Sequence, residues 1–136
     1  ETPSFLTHKG TTYRVLAVGS DEEVIKVERA IKTLYSGKLY ATRSLHNFCE
    51  ILSPDAGKEK ALNWLCQQMN IHPSEVVAFG NGLNDLEMIR WAGRGVAIEG
   101  GEPEALAISF ETAPPVQQDG VAIYLSELLG RNLIRG

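Results

Sequence analysis

The segment from Gly80 to Asp85, GNGLND, places glycines, amides and a carboxylate within a few residues of each other. It follows residues 75–79, an almost wholly apolar run that is typical of a strand buried on both faces of a parallel sheet. Ligands of such sheets bind at the carboxyl ends of the strands, and a helix that begins there offers free N–H groups to an anion. Asp85 is a hard oxygen ligand that suits Mg²⁺, directly or through water. The same residues also fit a plain helix start, in which Asn84 caps the helix and Asp85 interacts with its dipole.

Lys58 is the second residue that could do chemistry. It begins a predicted helix directly after Gly57, where a positive charge is unfavourable beside the helix dipole. A lysine in such a place indicates a role such as binding phosphate, although a solvated side chain is the simpler interpretation. The histidines lie far apart and match no metal-ligand spacing, while Cys49 and Cys66 occupy apolar patterns that are typical of inert packing groups.

The elements that would position these residues alternate along the chain. The first part is predicted to form a strand, a helix and two short strands, at residues 11–18, 21–35, 38–44 and 46–53. The second part is predicted to form helices at residues 58–69, 85–92, 103–109 and 121–129, and strands at residues 75–79 and 95–98. Capping boxes mark the starts of two helices, Ser20 with Glu23 and Asn84 with Glu87.

A turn-rich segment, residues 53–57, is the predicted boundary between two parts of the chain. Before it, the two short strands should form a hairpin-like pair packed against the first helix. After it, the strand–helix–strand–helix order predicts α/β layering with a parallel sheet and right-handed crossovers.

Composition limits the function classes. The chain has 136 residues, which allows one ordinary domain or two incomplete ones. Its net charge of −4 and the lack of a dense basic run argue against nucleic acid or an anionic membrane as partner. The sequence contains no apolar run of the roughly 20 residues that a membrane helix needs. The two cysteines cannot form a disulfide framework, so a cytoplasmic location is expected, and the first residue, Glu1, suggests a processed product or a fragment.

Ordered motifs between residues 50 and 130 resemble the C-terminal half of a haloacid dehalogenase (HAD) superfamily phosphatase. The most similar branch is the Cof-type group, which also contains sugar-phosphate phosphatases. The segments that carry the resemblance are Glu50–Ile51, 57–62 (GKEKAL), 76–88 (VVAFGNGLNDLEM), 92–98 (AGRGVAI) and 119–122 (DGVA). The resemblance implies an α/β fold, with part of an α/β cap domain in residues 1–52 and part of a parallel-sheet HAD core in residues 53–136.

The resemblance also implies a chemistry. In this family an aspartate near the N-terminus attacks phosphorus, a second aspartate acts as general acid and base, a lysine holds the phosphoryl group, and acidic residues hold Mg²⁺. By position, Lys58 matches the phosphate-binding lysine and Asp85 matches the second acid of the metal motif. Gly80, Gly82 and Asn84 match its loop. The implied ligand is a small phosphorylated metabolite, with Mg²⁺ as cofactor.

Two departures from the family pattern bear on activity. The Asp-x-Asp segment that carries the nucleophile does not occur in this sequence, and Asn81 stands where the family has a metal-binding aspartate. A unit-charge pair 4 Å apart is worth about 4 kcal/mol at an effective dielectric constant of about 20, so losing this charge weakens Mg²⁺ binding. We therefore expect a weak or vestigial metal site at Asp85, Asn81 and Asn84, and no phosphatase activity of this chain alone.

Two alternatives stay open at this point. The chain could be a HAD-derived binding or interaction module, which Asn81 favours, or, less favoured, a piece of a P-type ATPase phosphorylation domain. In the family the nucleophile strand lies beside the strand at residues 75–79. Its absence would leave an apolar edge unpaired, from which we expect self-association.

Overall fold

Two three-stranded sheets follow each other along the chain in a computed structural model that describes residues 12–130. The first sheet and its helix comprise β1 (Arg14–Val18), α1 (Asp21–Leu34), β2 (Tyr40–Leu45) and β3 (Phe48–Leu52). The second comprises α2 (Lys58–Met69), β4 (Val77–Gly80), α3 (Leu86–Trp91), β5 (Arg94–Ile98), α4 (Pro103–Ile108), β6 (Glu111–Ala113) and α5 (Gly120–Gly130). Short 3₁₀ turns lie at Pro73–Glu75, Leu83–Asp85 and Val116–Gln118.

The first sheet is antiparallel, in the order β1-β3-β2, and α1 packs on one of its faces. Val24 of α1 is buried against Ala41 and Cys49, which lie on that face. Because strand residues alternate between faces, Leu16, Thr42 and Glu50, which are partners across the register, lie on the face opposite α1. The predicted hairpin packed on the first helix is thus confirmed.

Helix α1 begins as the sequence predicts. The backbone N–H and the hydroxyl of Ser20 both donate to the Glu23 carboxylate, each at 2.8 Å. The predicted capping box is therefore present, and it fixes the direction in which the chain leaves β1.

The second sheet is parallel, in the order β4-β5-β6, as the sequence predicts. Helices α3 and α4 cover one face, and α5 covers the other. The central strand, β5, is buried on both sides, with Val96 against α5 and Ala97 against α3 and α4. No helix of residues 12–130 is long and apolar enough to span a membrane.

Glycine at position 95 lets α3 lie directly against β5. A Cβ atom there would come within 2.0 Å of the carbonyl oxygen of Ile89. Only glycine therefore permits this closeness of helix and strand.

The elements differ from prediction in several places. The strand predicted at residues 75–79 begins at Val77, because Pro73 starts a 3₁₀ turn that includes Glu75. The helix predicted at residues 85–92 begins at Leu86, after another 3₁₀ turn. Strand β6 was not predicted, since its three residues are too few for an alternating pattern. The first strand was predicted from residue 11, which lies outside the described residues, and it begins at Arg14.

Candidate functional site

Asp85 organises the loop that leaves the carboxyl end of β4. Its Oδ2 atom accepts hydrogen bonds from the backbone N–H groups of Asn81 and Gly82, each at 2.9 Å. Its Oδ1 atom accepts from the ammonium of Lys58, and only 6% of the Asp85 side chain is exposed. Gly80 is required here, because a Cβ atom would lie 2.5 Å from Cβ of Asp85. The carboxylate therefore holds the loop in a fixed shape.

Lys58 is brought to this loop by the start of α2. Its ammonium pairs with Asp85, while 51% of its side chain remains exposed. An ammonium has three N–H donors, so an anion can be bound without breaking the pair with Asp85. The structure thus joins the two residues that the sequence singled out, although 27 positions separate them.

A cavity of about 490 Å³ opens beside this pair. Its lining includes the predicted residues Lys58, Asn81, Gly82, Asn84 and Asp85. It also includes residues that the sequence did not single out as a site, namely Ser44, Leu45, His46, Gly100, Gly101 and Glu102. The cavity therefore lies between the carboxyl ends of β4 and β5 and the turn that joins β2 to β3.

The residues that were missed come from two loops. Gly100 and Gly101 follow β5, so the rule that parallel strands share their carboxyl edge could have placed them here. His46, one of the histidines that match no metal-ligand spacing, lies in a turn that faces the cavity. No local pattern in the sequence indicates that this turn lies beside the carboxyl edge of the second sheet.

The second predicted capping box is wrong. The 3₁₀ turn moves the helix start by one residue, so that Asp85 rather than Asn84 occupies the N-cap, without a side-chain capping bond. Glu87 instead accepts a hydrogen bond of 2.6 Å from the hydroxyl of Tyr40, on β2. Burial and this contact with Glu87 raise the pKa of Tyr40. The glutamate thus links α3 to the first sheet.

A second cavity, of about 250 Å³, lies on the other side of Lys58 and Asn84, which line both cavities. Its wall is the face of the first sheet opposite α1, and its other lining residues are Tyr40, Thr42, Glu50, Leu52, Gly57 and Ala61. Thr42 is 7% exposed, and Glu50 accepts a hydrogen bond of 3.3 Å from Arg14. A ligand held at Lys58 can therefore extend into either cavity.

The donor set does not fit a tightly bound Mg²⁺ ion. Asp85 is the one carboxylate of the loop, and N–H donors engage both of its oxygens. Asn81 and Asn84 offer amide oxygens without charge. Within residues 12–130, no group of three or more acidic, histidine or cysteine side chains is arranged to hold a metal ion.

Comparison with known proteins defines the class to which this fold and site belong. The family model of haloacid dehalogenase-like hydrolases matches residues 1–125. The chain is therefore a member of the haloacid dehalogenase-like hydrolase family, as its motifs indicated.

Individual relatives agree with this assignment. YxeH of Bacillus subtilis is 36% identical over 117 residues, which cover 85% of this chain and 43% of that protein. The phosphoglycolate phosphatase of Methanopyrus kandleri is 30% identical over 115 residues, covering 84% of this chain and 49% of the enzyme. A haloacid dehalogenase-like hydrolase from Bacteroides thetaiotaomicron has a similar structure, with a TM-score of 0.72 and 30% identity over 94% of this chain and 48% of its own. The chain thus spans about half the length of these proteins.

Proposed function

We propose that this chain is the phosphate-binding part of a phosphatase that acts on small phosphate esters such as sugar phosphates. One observation carries the proposal: Asp85 holds the Lys58 ammonium at the carboxyl edge of a parallel sheet, next to an open polar cavity. Membership of the hydrolase family and the name of the phosphoglycolate phosphatase relative support it. On this proposal, residues 1–52 belong to a cap domain and residues 53–136 to the core.

Each loop residue has a proposed role. Lys58 binds the phosphoryl group and offsets its negative charge. The amide side chains of Asn81 and Asn84 line the same cavity and can donate hydrogen bonds to phosphate oxygens. Gly80 and Gly82 let the backbone fold closely around Asp85.

We infer that the chain alone does not hydrolyse phosphate esters. Covalent phosphoryl transfer needs an attacking carboxylate, and the one carboxylate of the loop, Asp85, is bound to two backbone N–H groups and Lys58. The family uses Mg²⁺ to offset charge on the transferring group. Asp85, Asn81 and Asn84 therefore make only a weak or vestigial metal site.

Phosphate binding is the direct test. Titration with inorganic phosphate, followed by nuclear magnetic resonance of the backbone amides, should shift residues 80–85 in a saturable way. Lys58→Ala should weaken binding about tenfold or more, which corresponds to roughly 1.4 kcal/mol. Lys26→Ala, which removes an exposed lysine from α1, is the matched control and should bind as the unchanged chain does. Equal binding by the Lys58 variant would refute the proposal.

Activity is tested separately. The purified chain with Mg²⁺ should release no phosphate from p-nitrophenyl phosphate or from a panel of sugar phosphates. Turnover that disappears in Asp85→Ala would overturn the inference of inactivity while leaving phosphate binding in place.

The second candidate function is a non-catalytic binding module. Asn81 favours it, because the neutral amide removes the charge that a metal-dependent reaction needs but keeps a donor for an anion. Joining the chain to an Asp-x-Asp-bearing first half from a relative discriminates the two. Restored turnover supports the phosphatase, and phosphate binding without turnover supports the module.

Two further proposals concern the state of the chain. We propose self-association through β4, whose outer edge pairs with no strand of residues 12–130. Cys49 and Cys66 are free and buried thiols, which supports a reducing compartment such as the cytoplasm.

A further inference from the structure

The second cavity has opposite charges in its wall. Glu50 of β3 and Lys58, at the start of α2, both line it. Glu50 projects from β3 on the face opposite α1, next to Thr42 of β2 in the register. Only 18% of the Glu50 side chain is exposed, so its charge acts largely within the protein.

The cation paired with Glu50 lies outside this cavity. Arg14 donates to the carboxylate at 3.3 Å, but 58% of its own side chain is exposed and it is not among the lining residues. An exposed partner of this kind offsets little of the charge. Glu50 therefore presents a negative charge, with free lone pairs, to whatever occupies the cavity.

The rest of the wall limits the size and character of an occupant. Leu52 and Ala61 supply carbon surface, while Thr42 and Tyr40 supply hydroxyl groups. A volume of about 250 Å³ lies below the roughly 300–1,000 Å³ of sites for drug-sized ligands, which suits a short carbon chain. Lys58 at the boundary with the larger cavity fixes where the phosphate of such a ligand would lie.

We infer that Glu50 is a specificity-determining residue, which selects phosphate esters whose organic part carries hydrogen-bond donors. Hydroxyl or ammonium groups can donate to Glu50 while the phosphate binds Lys58. An ester whose organic part is itself a carboxylate meets repulsion, and a plain alkyl ester offers the Glu50 carboxylate no hydrogen-bond donor. The inference rests on the proposed function, because it uses phosphate binding at Lys58.

A panel of esters of similar size tests the inference on the unchanged chain. Glycerol 1-phosphate carries hydroxyls, O-phosphoethanolamine carries an ammonium, propyl phosphate carries neither, and phosphoglycolate carries a carboxylate. At least one of the two donor esters should bind about tenfold more tightly than propyl phosphate, the effect of one hydrogen bond to a charged group. The ester that binds more tightly of these two shows whether Glu50 prefers a hydroxyl or an ammonium donor. Phosphoglycolate should bind more weakly than propyl phosphate.

Glu50→Gln then assigns the effect to this residue. The amide keeps the shape but removes the charge, so phosphoglycolate should gain about tenfold and the advantage of the donor esters should shrink. Inorganic phosphate should bind no more weakly than before. Glu22→Gln is the matched control, because it removes the same charge from α1, where 87% of the side chain is exposed.

The possible failures are distinguishable. If inorganic phosphate binds but propyl phosphate equals or exceeds both donor esters, the inference about Glu50 is wrong and the proposed function stands. If the preference survives Glu50→Gln unchanged, Glu50 is not its cause. If neither phosphate nor any ester binds, the proposed function fails, and the inference fails with it.

Discussion

At the scale of single residues, Asp85 is the group on which the site depends. A buried carboxylate that accepts two backbone N–H groups and an ammonium is fully engaged, so its first role is to shape the loop. The sequence identified Asp85 as either a metal ligand or a residue that interacts with a helix dipole. In the structure its hydrogen bonds run back to Asn81 and Gly82, which precede the helix.

Replacing Asp85 should destabilise the protein. Asp85→Ala leaves the N–H groups of Asn81 and Gly82 and the Lys58 ammonium without their acceptor, and we expect a loss of about 3 kcal/mol in the free energy of unfolding. Urea denaturation measures it. Asp55→Ala, at an exposed position in the turn before α2, is the control and should change stability by less than about 0.5 kcal/mol. Equal losses in both variants would contradict the role of Asp85.

Restoring a charge at position 81 should strengthen the metal site. Asn81→Asp adds a second carboxylate to the loop, so its Mg²⁺ affinity should rise at least about tenfold above that of the unchanged chain. Calorimetric titration with Mg²⁺ checks this. Asn70→Asp adds the same charge at the far end of α2 and should not raise the affinity. An unchanged Mg²⁺ affinity in Asn81→Asp would show that the missing charge at position 81 is not the cause of weak Mg²⁺ binding.

At the scale of elements, one polar network joins the last strands to the last helix. Glu111 of β6 accepts a hydrogen bond of 2.8 Å from Arg94 of β5 and one of 2.6 Å from the hydroxyl of Tyr124 of α5. Tyr124 also packs edge-on against Phe79 of β4, with ring centroids 5.4 Å apart. These contacts hold β6, a strand of only three residues, in the sheet. Local sequence patterns do not indicate them.

Removing the Tyr124 hydroxyl isolates the contribution of this network. Tyr124→Phe keeps the ring and its contact with Phe79, and should lower the free energy of unfolding by about 1–2 kcal/mol. Thermal and urea unfolding measure the loss. Tyr35→Phe, on a half-exposed ring after α1, should be nearly neutral. A neutral Tyr124→Phe would show that the network adds no stability.

Alkaline pH should weaken the hydrogen bonds of Tyr40 with Glu87 and of Tyr124 with Glu111. Burial, and then hydrogen bonding to Glu87 and Glu111, raise the pKa values of Tyr40 and Tyr124 in the folded protein. The stability that these two tyrosines contribute is therefore complete below the unfolded pKa of about 10. It is lost as the pH rises through their pKa values in the folded protein. The free energy of unfolding should therefore fall as the pH rises above about 10. The double variant Tyr40→Phe with Tyr124→Phe should show a shallower fall.

The contact between α3 and β5 depends on glycine at position 95, because this residue has no side chain. Gly95→Ala forces a Cβ atom against the Ile89 carbonyl, and should cost about 2–3 kcal/mol. Gly130→Ala is the control, because, apart from its chain neighbours and its own helix backbone, no atom of residues 12–130 lies within 4 Å of the added group, and its effect should stay below about 1 kcal/mol. A tolerated Gly95→Ala would mean that the helix can shift away from the strand.

Much of the fold could be predicted from sequence, because the relevant signals are local. Hydrophobic periodicity placed α2 at its observed bounds, and the Ser20 capping box marked the start of α1. The approach of Lys58 to Asp85 came only through the family resemblance, since no rule of spacing joins positions so far apart. The turn at His46 and the wall at Glu50 needed the structure, because they depend on how one sheet lies against the other.

At the scale of the whole molecule, both sheets have an outer strand without a neighbour among residues 12–130, β1 in the first and β4 in the second. Apolar side chains of the edge strand β1, Leu16 and Val18, are exposed, and so are Trp64, Leu65 and Met69 of α2. Open apolar edges are places where a further strand can pair. The chain spans about half the length of its relatives, which is consistent with such surfaces.

Self-association should protect the edge that pairs. Hydrogen exchange of the β4 amides, Val77–Gly80, should slow as the protein concentration rises, whereas exchange in the central strand β5 should not depend on concentration. Sedimentation at the same concentrations reports the mass. A monomer at all concentrations, with unchanged β4 exchange, would refute association through this edge, and slowing confined to β1 would assign the contact to the other sheet.

The strands of the two sheets are not interleaved along the chain. All three strands of the first precede residues 53–57, and all three of the second follow them. An exchange of residues 12–52 alone could therefore replace the wall that carries Thr42 and Glu50 while leaving Lys58 and Asp85 untouched. On the proposed function, such an exchange would change which ester the site accepts and would keep the phosphate contacts.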